Sequence, residues 1–151
     1  GPVYGPTLSG DLSGASMGGF KQIMSGKMPM VPQAAINMSD VRDVAKIHVL
    51  ALENANANGK RFIVATEKAH KFQDIAQHIK SNGYDKVSTR LAPNFLLNFI
   101  GNFDREARSM KTFIGKTYDG DVSSTMETFD WKPISLEKTV LDTIKSIESF
   151  T

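Results

Sequence analysis

Residues 1–14 read GPVYGPTLSGDLSG, that is Gly1-Pro2-Val3-Tyr4-Gly5-Pro6-Thr7-Leu8-Ser9-Gly10-Asp11-Leu12-Ser13-Gly14. The first ten hold three glycines and two prolines, yet they enclose the apolar pair Val3-Tyr4. Two readings are open. In one, Gly1-Pro2 is the residue of tag removal, followed by a tail without structure. In the other, Val3-Tyr4 ends a buried strand, Gly5-Pro6 turns the chain, and the strand's neighbours lie outside these 151 residues. The second reading makes the chain one part of a larger sheet.

Working outward, Ala15 to Ser25 reads as a helix with Met17, Phe20, Ile23 and Met24 on one stripe and Gly26 as its stop. The stretch Lys27 to Met38 carries two prolines flanking Val31 and reads as extended, with a short strand near Ile36 to Met38. Ser39 or Asp40 can cap the next helix, because each side-chain oxygen can accept from an orphan backbone N–H. In VRDVAKIHVLALEN (41–54) the positions Val41, Val44, Ala45, His48 and Leu52, with Val49 beside them, predict an apolar helix face. Arg61-Phe62-Ile63-Val64-Ala65 is the clearest strand, and its apolar run suggests burial on both faces, as in a parallel sheet. A helix follows on Phe72, Ile75, Ala76 and Ile79, ended by Gly83. Val87 to Arg90 suggests a further strand. Helices are expected from Pro93 through Ile100 and from Arg105 to Phe113, and a single turn over Val122 to Thr128. Trp131-Lys132-Pro133 then connects to a last helix capped by Ser135, with Leu136, Val140, Ile144 and Ile147 on one stripe. Strands alternate with helices in the first half, so the class is α/β. The strands are too few and too short to enclose RFIVA, which points to a missing partner.

Composition narrows the function classes. Hydrophobic residues make up 40% and charged residues 23%, values ordinary for one soluble domain. Eighteen basic residues interleave with sixteen acidic ones, so no basic face for nucleic acid stands out. The absence of cysteine removes disulfides, thiol catalysis and thiolate metal sites. No apolar run reaches the roughly eighteen residues a membrane span needs. No charged-then-apolar signal opens the sequence. A soluble, cytoplasmic protein is expected.

Chemistry is sparse. His48 falls on the expected apolar face, where packing competes with catalysis and is preferred. His70 and His78 have no third ligand at metal spacing, so no metal site is expected. Asp40 and Asp43 stand in the first turn of a helix, where they complement its dipole and satisfy amides. The glycines of SGDLSGASMGG form neither GxGxxG after a strand nor GxxxxGK[ST]. Ser13 and Ser16 stand near a helix amino end, which suits either an anion or a simple cap. Ser123-Ser124-Thr125 can also cap a helix. Met24, Met28, Met30 and Met38 fill a core by default, or line an adaptable pocket.

The order of segments carries more than any one of them. VYGP, a Ser-containing helix ending in SGKMP, SDVRDVAKIHVLALEN, GKRFIVAT and FDWKPISLEKTVLDTIKS together resemble the carboxy-terminal half of the extended short-chain dehydrogenase/reductases, the NAD-dependent epimerase/dehydratase family. Within it they are most similar to the dihydroflavonol reductase and cinnamoyl-CoA reductase branch. Val3-Tyr4-Gly5-Pro6 match the end of a family N-P-x-x-V-x-G-P signature. Asp40-Val41-Arg42-Asp43-Val44-Ala45, His48 and Ala51-Leu52-Glu53 match its D-V-R-D-V-A-x-A-H-x-x-A-L-E element. Trp131 and Pro133 match a late G-W-x-P, with Asp130 in place of the glycine. The family's G-x-x-G-x-x-G loop, catalytic Ser or Thr and Y-x-x-x-K pair are absent. Tyr4, Tyr84 and Tyr118 are followed at the fourth position by Leu8, Ser88 and Val122.

The resemblance implies an α/β chain forming the later part of a Rossmann-type NAD(P)-binding fold with few parallel strands, plus a mostly helical substrate lobe. Residues 1–90 would be the Rossmann-associated part and 91–151 the lobe, with Pro93 to Phe113 closing over the pocket. The implied parent reduces an aldehyde or ketone by hydride transfer from NADP(H) or NAD(H). No catalytic residue is implied in this chain, and no turnover is expected from it alone. Val3 through its backbone, and Ser16 or Ser13, would meet the cofactor. Tyr4, Thr7, Leu8, Met17 and Asn37 would border the substrate. The implied partners are a missing amino-terminal Rossmann half and a small carbonyl substrate, with self-association through an exposed sheet edge where that half is absent. Two alternatives stay open: a nucleotide-sugar epimerase or dehydratase, with Arg90 or Arg105 as candidates for the diphosphate, and a non-catalytic docking or dimerisation module.

Overall fold

The computed structural model describes residues 2–93, 95 and 114–150. Val3–Tyr4 (β1) pairs in parallel with Ser39–Asp40 (β3), Val3 opposite Ser39 and Tyr4 opposite Asp40. Ala35–Ile36 (β2) pairs antiparallel with His70–Lys71 (β4). Around these short pairs stand the helices Ala15–Met24 (α1), Val41–Glu53 (α2), Phe72–Ser81 (α3), Ser123–Phe129 (α4) and Leu136–Glu148 (α5). The class is α/β with few parallel strands, and β1 is a strand rather than part of a tail.

Two apolar clusters hold these elements. The larger joins Tyr4, Phe20 and Ile23 to Ile75 and Ile79 of α3 and to Val140, Ile144 and Ile147 of α5. The smaller packs Ile47 of α2 against Val122, Phe129 and Trp131. Phe62 meets Phe129 edge to face at 4.7 Å in that second cluster.

The turn after β1 needs glycine. Gly5 has φ +126°, and a Cβ there would stand 2.8 Å from Val41 Cγ1. Its N–H donates to Thr143 Oγ1 on α5 at 2.8 Å, so the turn is tied across 138 residues of sequence. Thr7 N–H donates to Ser146 Oγ one turn further along the same helix. Caps act where the sequence places them. Asp40 accepts from Arg42 N–H at the start of α2, and Ser135 accepts from Lys138 N–H at the start of α5. Gly83, at φ +99°, follows α3 and donates to Lys80 O.

Several expectations are corrected. Arg61 to Val64 forms no strand and joins no ladder, and Ala65 is a bend. Ser39 Oγ donates to Val64 O and Thr125 Oγ1 to Ile63 O, so side-chain hydroxyls take carbonyls that a neighbouring strand would use. Burial alternates there, with Phe62 and Val64 packed inward and Ile63 outward. Val87 to Arg90 is not a strand either; Val31 N–H donates to Arg90 O beside an isolated parallel bridge between Val31 and Leu91. The expected strand at Ile36 to Met38 is two pieces, β2 and β3, serving different partners. The single turn near Val122 is the two-turn α4, anchored by Thr125. No Ser caps α4, whose N-cap is Val122. The N-cap of α1 is Gly14, not Ser13 or Ser16. The helices expected over 93–100 and 105–113 lie outside the described residues, as do Arg105 and nearly all of the Pro93 to Phe113 lobe.

The largest correction concerns α2. Its buried residues are Asp43 and Ile47, with Leu50 and Ala51 beside them, while Val41, Ala45, His48, Val49 and Leu52 are exposed. Both faces are apolar, and periodicity alone picked the outer one. His48 is consequently a solvent-facing residue whose Nδ1 lies 2.7 Å from Val44 O, not a packed one.

Candidate functional site

Between α1, α3, β1 and β2 lies a cavity of about 450 Å³. Phe20 and Ile23 enter it because they share the inner stripe of α1 with Gly19, whose missing side chain leaves open space: a Cβ there would meet nothing within 4 Å. Ile75 and Phe72 reach it from α3, Ile36 from β2, and Met28 from the chain that follows α1. Among the described residues, the sixteen that line it include no Asp, Glu, Lys, Arg or His. Its polar groups are few: the Tyr4 and Tyr118 phenols, the Ser16 hydroxyl, and the Gln22 and Asn37 amides.

Tyr4 is the anchor of the wall. Its ring tilts against Phe20 at 4.8 Å between centroids. Burial pushes its phenol up to about 12, so it stays protonated across the physiological range and can donate but not serve as a base. Asn37 donates from Nδ2 to Thr66 O at 3.0 Å, which fixes the amide plane at the cavity edge. Ser16 sits in the first turn of α1, whose N-cap Gly14 offers no side-chain acceptor and whose first turn holds no acidic residue. Among the described residues no side chain caps the first-turn amides of α1 beside the cavity.

Three of the residues implied by the resemblance therefore meet here: Tyr4, Ser16 and Asn37. The other five lie outside the lining. The Val3 side chain faces outward from β1, and Thr7 is tied to Ser146 on α5. Leu8 is 97% exposed, Ser13 closes a small turn on Asp11 Oδ1, and Met17 packs against the larger cluster. Phe20, Ile36, Phe72, Ile75 and Tyr118 were not singled out as site residues, because their only signal is hydrophobicity, which core positions share. Met28 did carry a signal, as a member of the methionine run.

The acidic residues of the DVRD element are structural. Asp43 accepts from Trp131 Nε1 at 2.9 Å and from Ile134 N–H at 2.8 Å, which clamps the Trp-x-Pro connector onto α2. Asp40 accepts from Arg42 Nε and Nη2 and from Thr139 Oγ1, and Arg42 Nη1 reaches Asp142 Oδ2 at 2.7 Å. Charge gathers instead in a more open depression of about 580 Å³ that includes Glu67, Lys68, His70, Lys132 and Glu137. Among the described residues no three acidic or histidine side chains are grouped to hold a metal, and no helix is long and apolar enough to cross a membrane.

No family profile matches the sequence, and no curated protein matches it. Solved structures do match the fold. The yeast methylglyoxal/isovaleraldehyde reductase Gre2, complexed with NADPH, is 21% identical, with a TM-score of 0.59 over 98% of this chain and 44% of that one. A nucleoside-diphosphate-sugar epimerase from Pseudomonas aeruginosa is 15% identical, with a TM-score of 0.74 over 97% of this chain and 45% of that one. The UDP-glucuronic acid 4-epimerase from Bacillus cereus, in complex with NAD, is 15% identical, with a TM-score of 0.63 over 97% and 42%. The chain thus spans less than half the length of each of these three structures. It shares its fold with the matched part of each of these structures.

Proposed function

We propose that this chain is the carboxy-terminal, substrate-binding portion of an extended short-chain dehydrogenase/reductase that reduces an apolar aldehyde or ketone with NAD(P)H. In this reading residues 1–90 complete the Rossmann part and residues 91–151 belong to the substrate lobe. The observation that carries it is the cavity lining. A nucleotide sugar brings a diphosphate, whose two negative charges need cations or several convergent N–H donors. Among the described residues the lining holds no cation, and its walls are aromatic, aliphatic and thioether. Such a surface suits the hydrocarbon part of a small carbonyl compound. The reductase is thereby favoured over the epimerase, although the fold is compatible with both.

When bound, NADPH supplies the hydride. What this chain offers it is small: the backbone of Val3, and Ser16 with the uncapped amides of α1, where an anionic group is favoured by the helix dipole. Toward substrate, the protonated Tyr4 phenol and the Asn37 amide orient a polar end. Phe20, Ile36, Phe72 and Ile75 hold the apolar end and exclude water. No proton-transfer residue is assigned here, so the chain alone does not turn over.

The test joins this chain to the polypeptide encoded directly upstream of Gly1 and follows NADPH oxidation with isovaleraldehyde, and in parallel the interconversion of UDP-sugars. Aldehyde-dependent oxidation by the joined protein, and none by this chain alone, is expected. Epimerisation without aldehyde reduction would overturn the reading.

A further inference from the structure

Residues 114–120 form a strap that is pinned at both ends. Ile114 bridges Ala34 in antiparallel fashion, and Gly115 N–H donates to Gln33 O at 3.0 Å. Asp119 Oδ1 accepts from Ala69 N–H, and Gly120 N–H donates to Glu67 O. Between these ties stands Tyr118, which lines the cavity yet is 52% exposed, the position of a mouth residue. The strap also passes close to Asn37. A Cβ on Gly120 would stand 3.6 Å from Asn37 Nδ2, and the same nitrogen donates to Thr66 O at 3.0 Å. A carbonyl oxygen only accepts, so the amide must turn its NH2 toward Thr66 and its Oδ1 the other way. Neither Thr66 nor Gly120 lines the cavity, whereas Asn37 does. Oδ1 is therefore the amide atom left to the cavity, and among the described residues no hydrogen bond reaches it.

We infer that Tyr118 and Asn37 form a specificity pair: Asn37 Oδ1 accepts from a hydroxyl on the substrate, and the Tyr118 ring, held by its strap, keeps bulk water from that bond. This rests on the reading given under Proposed function and names the substrate class, an apolar carbonyl compound that also carries a hydroxyl. The physical reason is an asymmetry of cost. A ligand without a hydroxyl strips water from Oδ1 and returns nothing, whereas one with a hydroxyl replaces the lost bond. A site built to hydrogen-bond a hydroxyl therefore rejects the analogue that lacks it, a distinction apolar walls make poorly. Phe20, Ile23 and Ile75 supply the apolar grip, and the choice between ligands falls to the mouth.

The test uses this chain alone and an isosteric pair of ketones, diacetone alcohol and methyl neopentyl ketone, in which one hydroxyl takes the place of one methyl. Each is titrated against the chain while its amide NMR signals are followed. A purely apolar cavity favours the second ketone, the more hydrophobic of the two. The reverse order is expected, with diacetone alcohol bound at least about threefold tighter and the shifts centred on Asn37 and Tyr118. Asn37→Leu removes the acceptor and should restore the apolar order. Tyr118→Ala, at an exposed site, should erase the preference by admitting water, and it carries the test should Asn37→Leu fail to fold. Equal binding, tighter binding of methyl neopentyl ketone, or a preference that survives Tyr118→Ala would overturn the inference and leave the cavity as the substrate site. Binding of neither ketone would overturn both. The expected preference, without aldehyde-dependent NADPH oxidation by the joined protein, would count against the reductase reading alone.

Discussion

Asp43 shows how one side chain can tie two distant motifs together. It accepts from the indole of Trp131, 88 residues away, and from Ile134 N–H, 91 residues away, both at hydrogen-bonding distance. Trp131 is 3% exposed, so its N–H has no water to fall back on. Asp43→Ala should cost about 1–3 kcal/mol for each donor left unpaired, read as a lower urea midpoint with an unchanged slope. Asp43→Asn, which keeps an acceptor oxygen, should recover part of the loss. The sequence announced this residue as helix-start chemistry but not its partners, because nothing local in DVRD or WKP says that they meet.

At the scale of elements, β3, α2 and α5 are joined through Asp40, Arg42, Thr139 and Asp142. Burial works to raise the Asp40 carboxyl. The Arg42 guanidinium and N–H and the Thr139 hydroxyl outweigh it and hold the group below its usual range. Hydrogen bonds from Lys138 and Arg42 hold Asp142 low as well. The native chain therefore takes up these protons less readily than the unfolded one. Their contribution to stability is whole above about pH 4, the ordinary aspartate value, and is lost as the pH falls through the lower native values. Thermal midpoints recorded from neutral to acidic pH should fall in that window, and Arg42→Gln should lower the neutral midpoint and flatten the fall. An unchanged acid limb in the variant would show that other carboxylates set it.

The same elements show what a sequence yields and what it withholds. The α1, α3 and α5 stripes were legible because each has one apolar face and a clear start or stop. The outer stripe of α2 was legible as apolar but was assigned to the wrong side, since a helix apolar on two faces does not say which one the visible chain covers. RFIVA reads as a strand from its apolar run, but pairing depends on neighbours, and here the hydroxyls of Ser39 and Thr125 take the Val64 and Ile63 carbonyls instead. Thr139 and Thr143 gave no signal; they interrupt an apolar stripe, and only the folded chain shows that they hold Asp40 and Gly5.

For the molecule as a whole, the motif order pointed to the fold, and the site was legible only where the resemblance named residues. The cavity walls are the ordinary hydrophobes of a core, distinguished by facing a space that none of the described residues fills. That space is the centre of the functional account, and Gly19 gives direct access to it. Gly19 lines the cavity, and among the described residues a Cβ there would meet no atom within 4 Å, so a larger side chain can be placed at the wall without displacing its neighbours. The decisive measurement is steady-state kinetics of Gly19→Leu in the joined reductase that the proposal calls for, with isovaleraldehyde and NADPH varied in turn. A rise of about tenfold or more in the aldehyde KM, with the NADPH KM unmoved, is the predicted result. An unchanged aldehyde KM in the folded variant would contradict the claim that substrate occupies this cavity.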